Sequence, residues 1–243
     1  MSATLLSVSQ ARKAFGGLIA VNDVSFEVRA GELIGLIGPN GSGKTTMLNL
    51  ISGALRPTSG EIKLAGCRIS GLPTEMVARA GIARTFQLVR VLPSMTAIEN
   101  VMAGAVFARN RLWGPRAHDF AGDLLGRVGL MGRENSPVSA MTYIDQKRVE
   151  LARALAADPQ LLLLDEWLAG LNPSELLIGI NLVRDINREG RTIIMVEHVM
   201  DAIRTLCGRC VVMNSGVKIA DGVAADVLAD PDVIRAYLGD DDA

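Results

Sequence analysis

Short apolar runs alternate with longer segments of helical period along the chain. Leu5 to Gln10 and Val24 to Val28 alternate with period two, as half-buried strands do, whereas Leu33 to Ile37 is a continuous apolar run ended by glycine. Thr45 to Ile51 reads as a helix stopped by Ser52-Gly53, Pro57-Thr58-Ser59-Gly60 as a turn, and Glu61 to Leu64 as a further strand. From Leu88 to Asp158 strand patterns disappear, and Thr96 and Glu99 are spaced as a capping box for a helix through Ile98 to Ala108. Residues 88–158 are therefore expected to form a helical subdomain inserted in a single domain spanning 1–243. Leu161 to Leu164, Ser174 to Glu189 and Thr192 to Val196 then read as strand, helix and strand, with Gly190 ending the helix, and Cys210 to Met213 and Val217 to Ala220 as a hairpin around Asn214-Ser215-Gly216. The fold class is α/β, with an antiparallel β layer leading into a buried parallel sheet.

Composition supports that architecture. Hydrophobic residues make up 49% of the 243 residues and aromatics 4%, so the core is built from Leu, Ile, Val and Ala. A formal charge of -1 offers no positive field for a nucleic-acid backbone, and no nucleic-acid partner is expected. The start lacks a basic segment followed by a long apolar one, so neither secretion nor membrane spanning is expected. Asp240, Asp241 and Asp242 read as a solvated tail. The 3 cysteines are too few for a disulfide framework. Cys207-Gly208-Arg209-Cys210 has C-x-x-C spacing but no second pair to complete a metal site.

The chemistry concentrates in two places. Gly38-Pro39-Asn40-Gly41-Ser42-Gly43-Lys44-Thr45 fits G-x-x-x-x-G-K-[ST] between a strand and a helix, the context in which backbone N–H groups curl around phosphates. Lys44 would reach the outer phosphates, Thr45 would ligate Mg²⁺, and Thr46 would donate to the inner phosphates. The competing reading, a glycine-rich turn without a ligand, explains neither the lysine nor the flanking periods. At the end of the run Leu161 to Leu164, Asp165 would hold Mg²⁺ through water and Glu166 would orient or deprotonate the attacking water.

With these motifs in place, the chain resembles the nucleotide-binding domains of ABC transporters over nearly its whole length. Phe15 lies where that family stacks adenine, Gln87 matches the glutamine loop, Ala169-Gly170-Leu171-Asn172 resembles the D-loop, and His198 matches the switch histidine. Taken singly, Phe15 equally suits a core, Gln87 a solvated amide, and His198 a structural position. The resemblance implies that Gln87 senses Mg²⁺ and water while facing a membrane partner, and that His198 contacts the γ-phosphate. Within the family, Arg84-Thr85-Phe86-Gln87, Ala169-Gly170-Leu171-Asn172-Pro173 and the ending Pro231-Asp232-Val233-Ile234-Arg235-Ala236-Tyr237-Leu238-Gly239 are similar to phrases in the ATPase subunits of branched-chain amino acid importers.

Two segments depart from the family pattern. The signature, usually L-S-G-G-Q, falls on Met141-Thr142-Tyr143-Ile144-Asp145, and Trp167 follows Glu166 where proline is common. In a head-to-tail dimer the resemblance implies that Thr142, Tyr143 and Ile144 cap the ATP on the partner's phosphate loop. Ile144 is expected to restrict a backbone that glycine would leave free, and Asp145 to place negative charge near the triphosphate. Thr142 and Asp145 also have capping-box spacing for the helix that follows. The resemblance implies ATP and Mg²⁺ as ligands, integral-membrane permease subunits and a second ATPase subunit as partners, no direct cargo contact, and a place on the cytoplasmic face of the membrane. Two other readings stand beside transport-coupled hydrolysis of this kind: an ATP-dependent dimerisation switch with little turnover, and energisation of transport of another solute or a lipid.

Overall fold

The apolar runs form two sheets in the computed structural model, which describes residues 3–107 and 111–238. Ala108, Gly239 and Asp240 to Asp242 lie outside the described residues. In chain order the strands are β1 Thr4–Phe15, β2 Leu18–Arg29, β3 Leu33–Ile37, β4 Ser59–Leu64, β5 Cys67–Arg68, β6 Ile82–Arg84, β7 Leu161–Asp165, β8 Thr192–Val196, β9 Arg209–Asn214 and β10 Val217–Val223. The helices are α1 Lys44–Ile51, α2 Thr74–Ala80, α3 Ala97–Phe107, α4 Gly114–Arg127, α5 Tyr143–Ala156, α6 Pro173–Arg188, α7 Met200–Leu206, α8 Ala224–Ala229 and α9 Pro231–Leu238.

The first sheet is antiparallel, in the order β2-β1-β4-β5. The second runs β10-β9-β3-β8-β7-β6, parallel from β9 to β6 with β10 as an antiparallel edge. Alternation along each parallel strand divides the interior in two. Leu161 and Leu163 of β7 face a core shared with α1 and the antiparallel sheet, while Leu162 and Leu164 face a core shared with α3 to α7. Both faces are covered, which is why these strands read as unbroken apolar runs.

Most expected elements occur where the periodicity placed them, and Leu33–Ile37 and Thr192–Val196 do so to the residue. The turn expected at residues 57–60 is shorter, because Ser59 and Gly60 already belong to β4. Gly60 has a strand reason for being glycine: at φ 88° a Cβ would stand 2.3 Å from the Gln10 carbonyl oxygen. Two short elements, α2 and β6, carry too few periodic positions to be read from sequence.

Between β6 and β7 the described residues form helices and no strand. Thr96 caps α3 as expected, with its N–H donating to Glu99 Oε2 at 2.8 Å and Glu99 N–H returning to Thr96 Oγ1 at 3.4 Å. α3 crosses α5 so closely that a Cβ on Gly104 would stand 2.3 Å from the Arg153 carbonyl oxygen. Asn172 and Glu175 form a reciprocal capping box at the start of α6.

Candidate nucleotide site

Neighbouring parallel strands bring the candidate residues to one edge of the sheet. β3, β8, β7 and β6 lie side by side, and their carboxyl ends deliver residues 38–43, His198, Asp165 with Glu166, and residues 85–87 respectively. Ligands of open α/β sheets bind at such an edge.

The loop after β3 needs its glycines. Gly38 has φ 148° and a Cβ there would stand 2.0 Å from the Met213 carbonyl oxygen, while Gly43, at φ 101°, faces the Ala20 carbonyl oxygen at 2.5 Å. α1 begins at Lys44 with no side-chain cap at Gly43 and no acidic residue in its first turn, so its N-terminal dipole is uncompensated on the loop side. Lys44 is buried; its ammonium donates to the carbonyls of Gly38 at 2.7 Å and Pro39 at 2.8 Å. Burial lowers its pKa, and the charges of Glu166 and Asp165 oppose that shift. Ala20, Asn40, Gly41, Ser42, Gly43, Lys44, Thr45, Thr46, Glu166 and His198 line a cleft of about 180 Å³.

Glu166 is the meeting point of three loops. Gln87 Nε2 donates to its Oε2 at 2.7 Å, and His198 Nε2 stands 3.0 Å from its Oε1. The Glu166 backbone is left-handed at φ 50°, and its N–H donates to the Val196 carbonyl at 2.8 Å. A glutamate in this conformation is strained, a condition associated with functional positions. Gln87, Glu166 and His198, distant in sequence, are thus brought into one hydrogen-bonded group.

Asp165 is buried and paired with Arg84, whose Nη2 donates to its Oδ2 at 2.6 Å. The same guanidinium donates to Asn49 Oδ1 at 2.6 Å and Ser52 Oγ at 3.3 Å, fastening β6 and β7 to α1. Among the described residues no cluster of three or more His, Cys, Asp or Glu side chains could hold a metal by themselves. A single aspartate at the end of β7, next in sequence to the cleft-lining Glu166, is enough for Mg²⁺, which keeps several waters and takes phosphate oxygens as its remaining ligands.

The other candidates lie elsewhere. Phe15 is exposed at the β1–β2 turn with the Lys13 ammonium 4.9 Å from its ring centroid, and it is not among the cleft-lining residues, whereas Ala20 is. Thr142, Tyr143 and Ile144 open α5 and do not line the cleft of their own chain.

Two expectations for this segment are corrected. Ile144 sits inside the first turn of α5 and is not among the residues of positive φ, so its branched side chain meets no backbone conflict. Asp145 is 6% exposed and turned inward: it accepts from Arg133 at 2.5 Å, Thr142 Oγ1 at 2.8 Å and Arg148 at 3.3 Å, so its charge is neutralised within the chain. Thr142 does cap α5, accepting from Asp145 N–H at 3.3 Å.

Sequence reasoning missed four charged residues around the site: Arg84, Lys147, Glu150 and Glu197. Glu150 accepts from the backbone N–H groups of Phe86 and Arg90, holding the loop that carries Gln87. Arg84 belongs to the Arg84-Thr85-Phe86-Gln87 phrase and Glu197 adjoins His198, yet nothing in their spacing shows that they are buried. Cys207 and Cys210 are also buried; burial pushes the Cys207 thiol up and Cys210 up to about 11, the behaviour of inert core thiols.

The ABC transporter family model matches residues 21–169, and a branched-chain amino acid ATP-binding cassette transporter model matches residues 217–243. The high-affinity branched-chain amino acid transport ATP-binding protein LivG of Escherichia coli K12 is 40% identical across 99% of this chain and 100% of its own length. BraF of Pseudomonas aeruginosa, of the same description, is 37% identical across 99% of this chain, and the Escherichia coli lipopolysaccharide export ATP-binding protein LptB is 32% identical across 97%. The crystal structure of an ATP-binding cassette of an ABC transporter in its ADP conformation superposes with a TM-score of 0.89 at 28% identity, covering 98% of this chain and 100% of that one. The phosphate loop, the Asp165-Glu166 strand end and these likenesses make the chain a member of the ABC transporter ATP-binding family.

Proposed function

We propose that this chain is the ATP-hydrolysing subunit of an importer for branched-chain or related amino acids, working on the cytoplasmic face of the membrane with permease subunits and a second ATPase subunit. The observation that carries the hydrolytic part is the convergence of Gln87 and His198 on the Glu166 carboxylate at the mouth of the phosphate loop. The likeness to LivG and BraF and the match over residues 217–243 support the amino-acid part.

Residues 38–46 would bind the ATP phosphates through backbone N–H groups and the α1 N-terminus, and Lys44 would leave its loop carbonyls for the outer phosphates. Mg²⁺ would be held by Thr45, Gln87 and, through water, Asp165, and would neutralise charge on the phosphates. Glu166 would accept the proton of the attacking water, His198 would bear on the γ-phosphate, and Gln87 would report water and metal to the permease side. Phe15 would stack on adenine, and Thr142, Tyr143 and Ile144 would close over the partner's nucleotide. Helices α3 to α5, the proposed subdomain, together with the Gln87 loop would dock on the permeases. Among the described residues no helix is long and apolar enough to cross a membrane, which suits attachment through partners.

The test is uptake by vesicles holding the permeases, this chain and its ATPase partner, driven by ATP on the side of the ATPases. Accumulation of leucine, isoleucine or valine that requires Lys44 supports the reading. Uptake of none of these, with transport of an unrelated solute or a lipid, refutes the amino-acid part and leaves the ATPase part standing.

A further inference from the structure

Lys147, Glu150 and Glu197 are each 1% exposed and lie outside the nucleotide cleft. Lys147 and Glu197 act on the segment directly after Glu166. The Lys147 ammonium donates to the carbonyls of Trp167 at 2.9 Å and Ala169 at 2.7 Å, and it stands 5.0 Å from the Tyr143 ring centroid. Trp167 returns the bond: its indole Nε1–H donates to the Lys147 carbonyl at 3.2 Å. Between them, Leu168 N–H donates to Glu197 Oε1 at 2.6 Å. Trp167 is 1% exposed, and Gly179 on α6 makes room for it, since a Cβ there would stand 2.6 Å from Leu168 Cδ2 and 3.3 Å from Trp167 Cζ3.

These tethers answer a need created by Glu166 itself. Its left-handed backbone persists only if its surroundings hold it. Trp167 lacks the pyrrolidine ring by which a proline would fix its own φ. We infer that Lys147 and Trp167 form a reciprocal lock that positions the Glu166 carboxylate for water activation. They are positioning residues, and the lock ties the helix that opens with Thr142 to the loop that follows Glu166. The inference rests on the reading of Glu166 as the base.

The test uses the full chain with Mg²⁺ and ATP, alone and assembled with its membrane partners. Lys147→Met is expected to lower kcat by about tenfold to a hundredfold with KM within about threefold, as misplacement of a catalytic group by up to about 1 Å does. Lys147→Arg is expected to recover most of the loss, and Trp167→Phe, which keeps an aromatic side chain but loses the indole N–H, to lower kcat by about fivefold. The chain has 2 tryptophans, so a Trp113→Phe background leaves Trp167 as sole emitter, and there Lys147→Met is expected to red-shift its emission and expose it to acrylamide. An unchanged kcat per nucleotide-binding site in Trp167→Phe and Lys147→Met, or unchanged Trp167 emission, overturns the lock. Should Lys147→Met not fold, Trp167→Phe alone decides. Glu166→Gln separates the failures: turnover retained there refutes the reading of Glu166 and the lock with it, whereas turnover lost there but kept in both lock variants refutes the lock alone.

Discussion

Replacing Glu197 with Gln removes a buried carboxyl whose second oxygen, Oε2, has no hydrogen-bond partner. Burial is the main reason its pKa rises from 4.5 to about 7, with the charge of Glu166 adding to the rise and Leu168 N–H and Lys147 opposing it. A carboxyl raised in the fold binds its proton more tightly folded than unfolded, so it favours the folded state at acid pH and loses that contribution as pH rises through about 7. The interval from 4.5 to about 7 corresponds to about 3 kcal/mol, of which about 2 kcal/mol is lost between about pH 5.5 and about pH 8.5. Denaturant unfolding of wild type and Glu197→Gln at those two pH values measures the difference in slope. Stability of the variant is expected to fall less by about 2 kcal/mol over this range than that of wild type. Parallel pH dependences, within about 0.5 kcal/mol, would mean that Glu197 keeps an ordinary carboxylate pKa, contradicting the burial argument.

Three further perturbations probe the packing. Thr85 is fully buried with an unpartnered hydroxyl, so Thr85→Val is expected to be neutral or stabilising by about 1 kcal/mol in the same unfolding assay, and a clear loss of stability refutes that. Gly104→Ala, which drives a methyl onto the Arg153 carbonyl, is expected to destabilise by about 1–3 kcal/mol, and an unchanged denaturation midpoint argues against the close α3–α5 crossing. Native protein treated with a thiol reagent is expected to label quickly at Cys67 alone, with Cys207 and Cys210 reacting only in denaturant; fast labelling at all three would contradict their burial.

The contrast between Glu166 and its supports shows what sequence conveys here. The phosphate loop and the Asp165-Glu166 pair were legible because each combines special residue types with a flanking apolar run of strand length. Gln87 and His198 carried no comparable local signal. They became interpretable through motif order, and the structure joins both to Glu166 through the parallel order β8-β7-β6. Arg84, Lys147 and Glu197 were illegible because a charged residue in sequence reads as solvent-facing, and only the tertiary contacts show each one buried beside its partners. The Asp145 expectation changes for a related reason: the sequence shows a negative charge in the signature segment, and only the fold brings Arg133 and Arg148 onto it. Phe15 shows the opposite limit, a residue noticed by position that stays exposed outside the cleft lining.

On the function proposed, Glu166, held between Gln87 and His198, drives hydrolysis of ATP bound on the loop of residues 38–46. The most direct test of this role measures ATP binding and phosphate release side by side for wild type and Glu166→Gln, alone and with the membrane partners. The variant is expected to bind ATP as wild type does and to release phosphate at least about a hundredfold more slowly. Equal release by the two proteins, or no release by wild type in either setting, would contradict it.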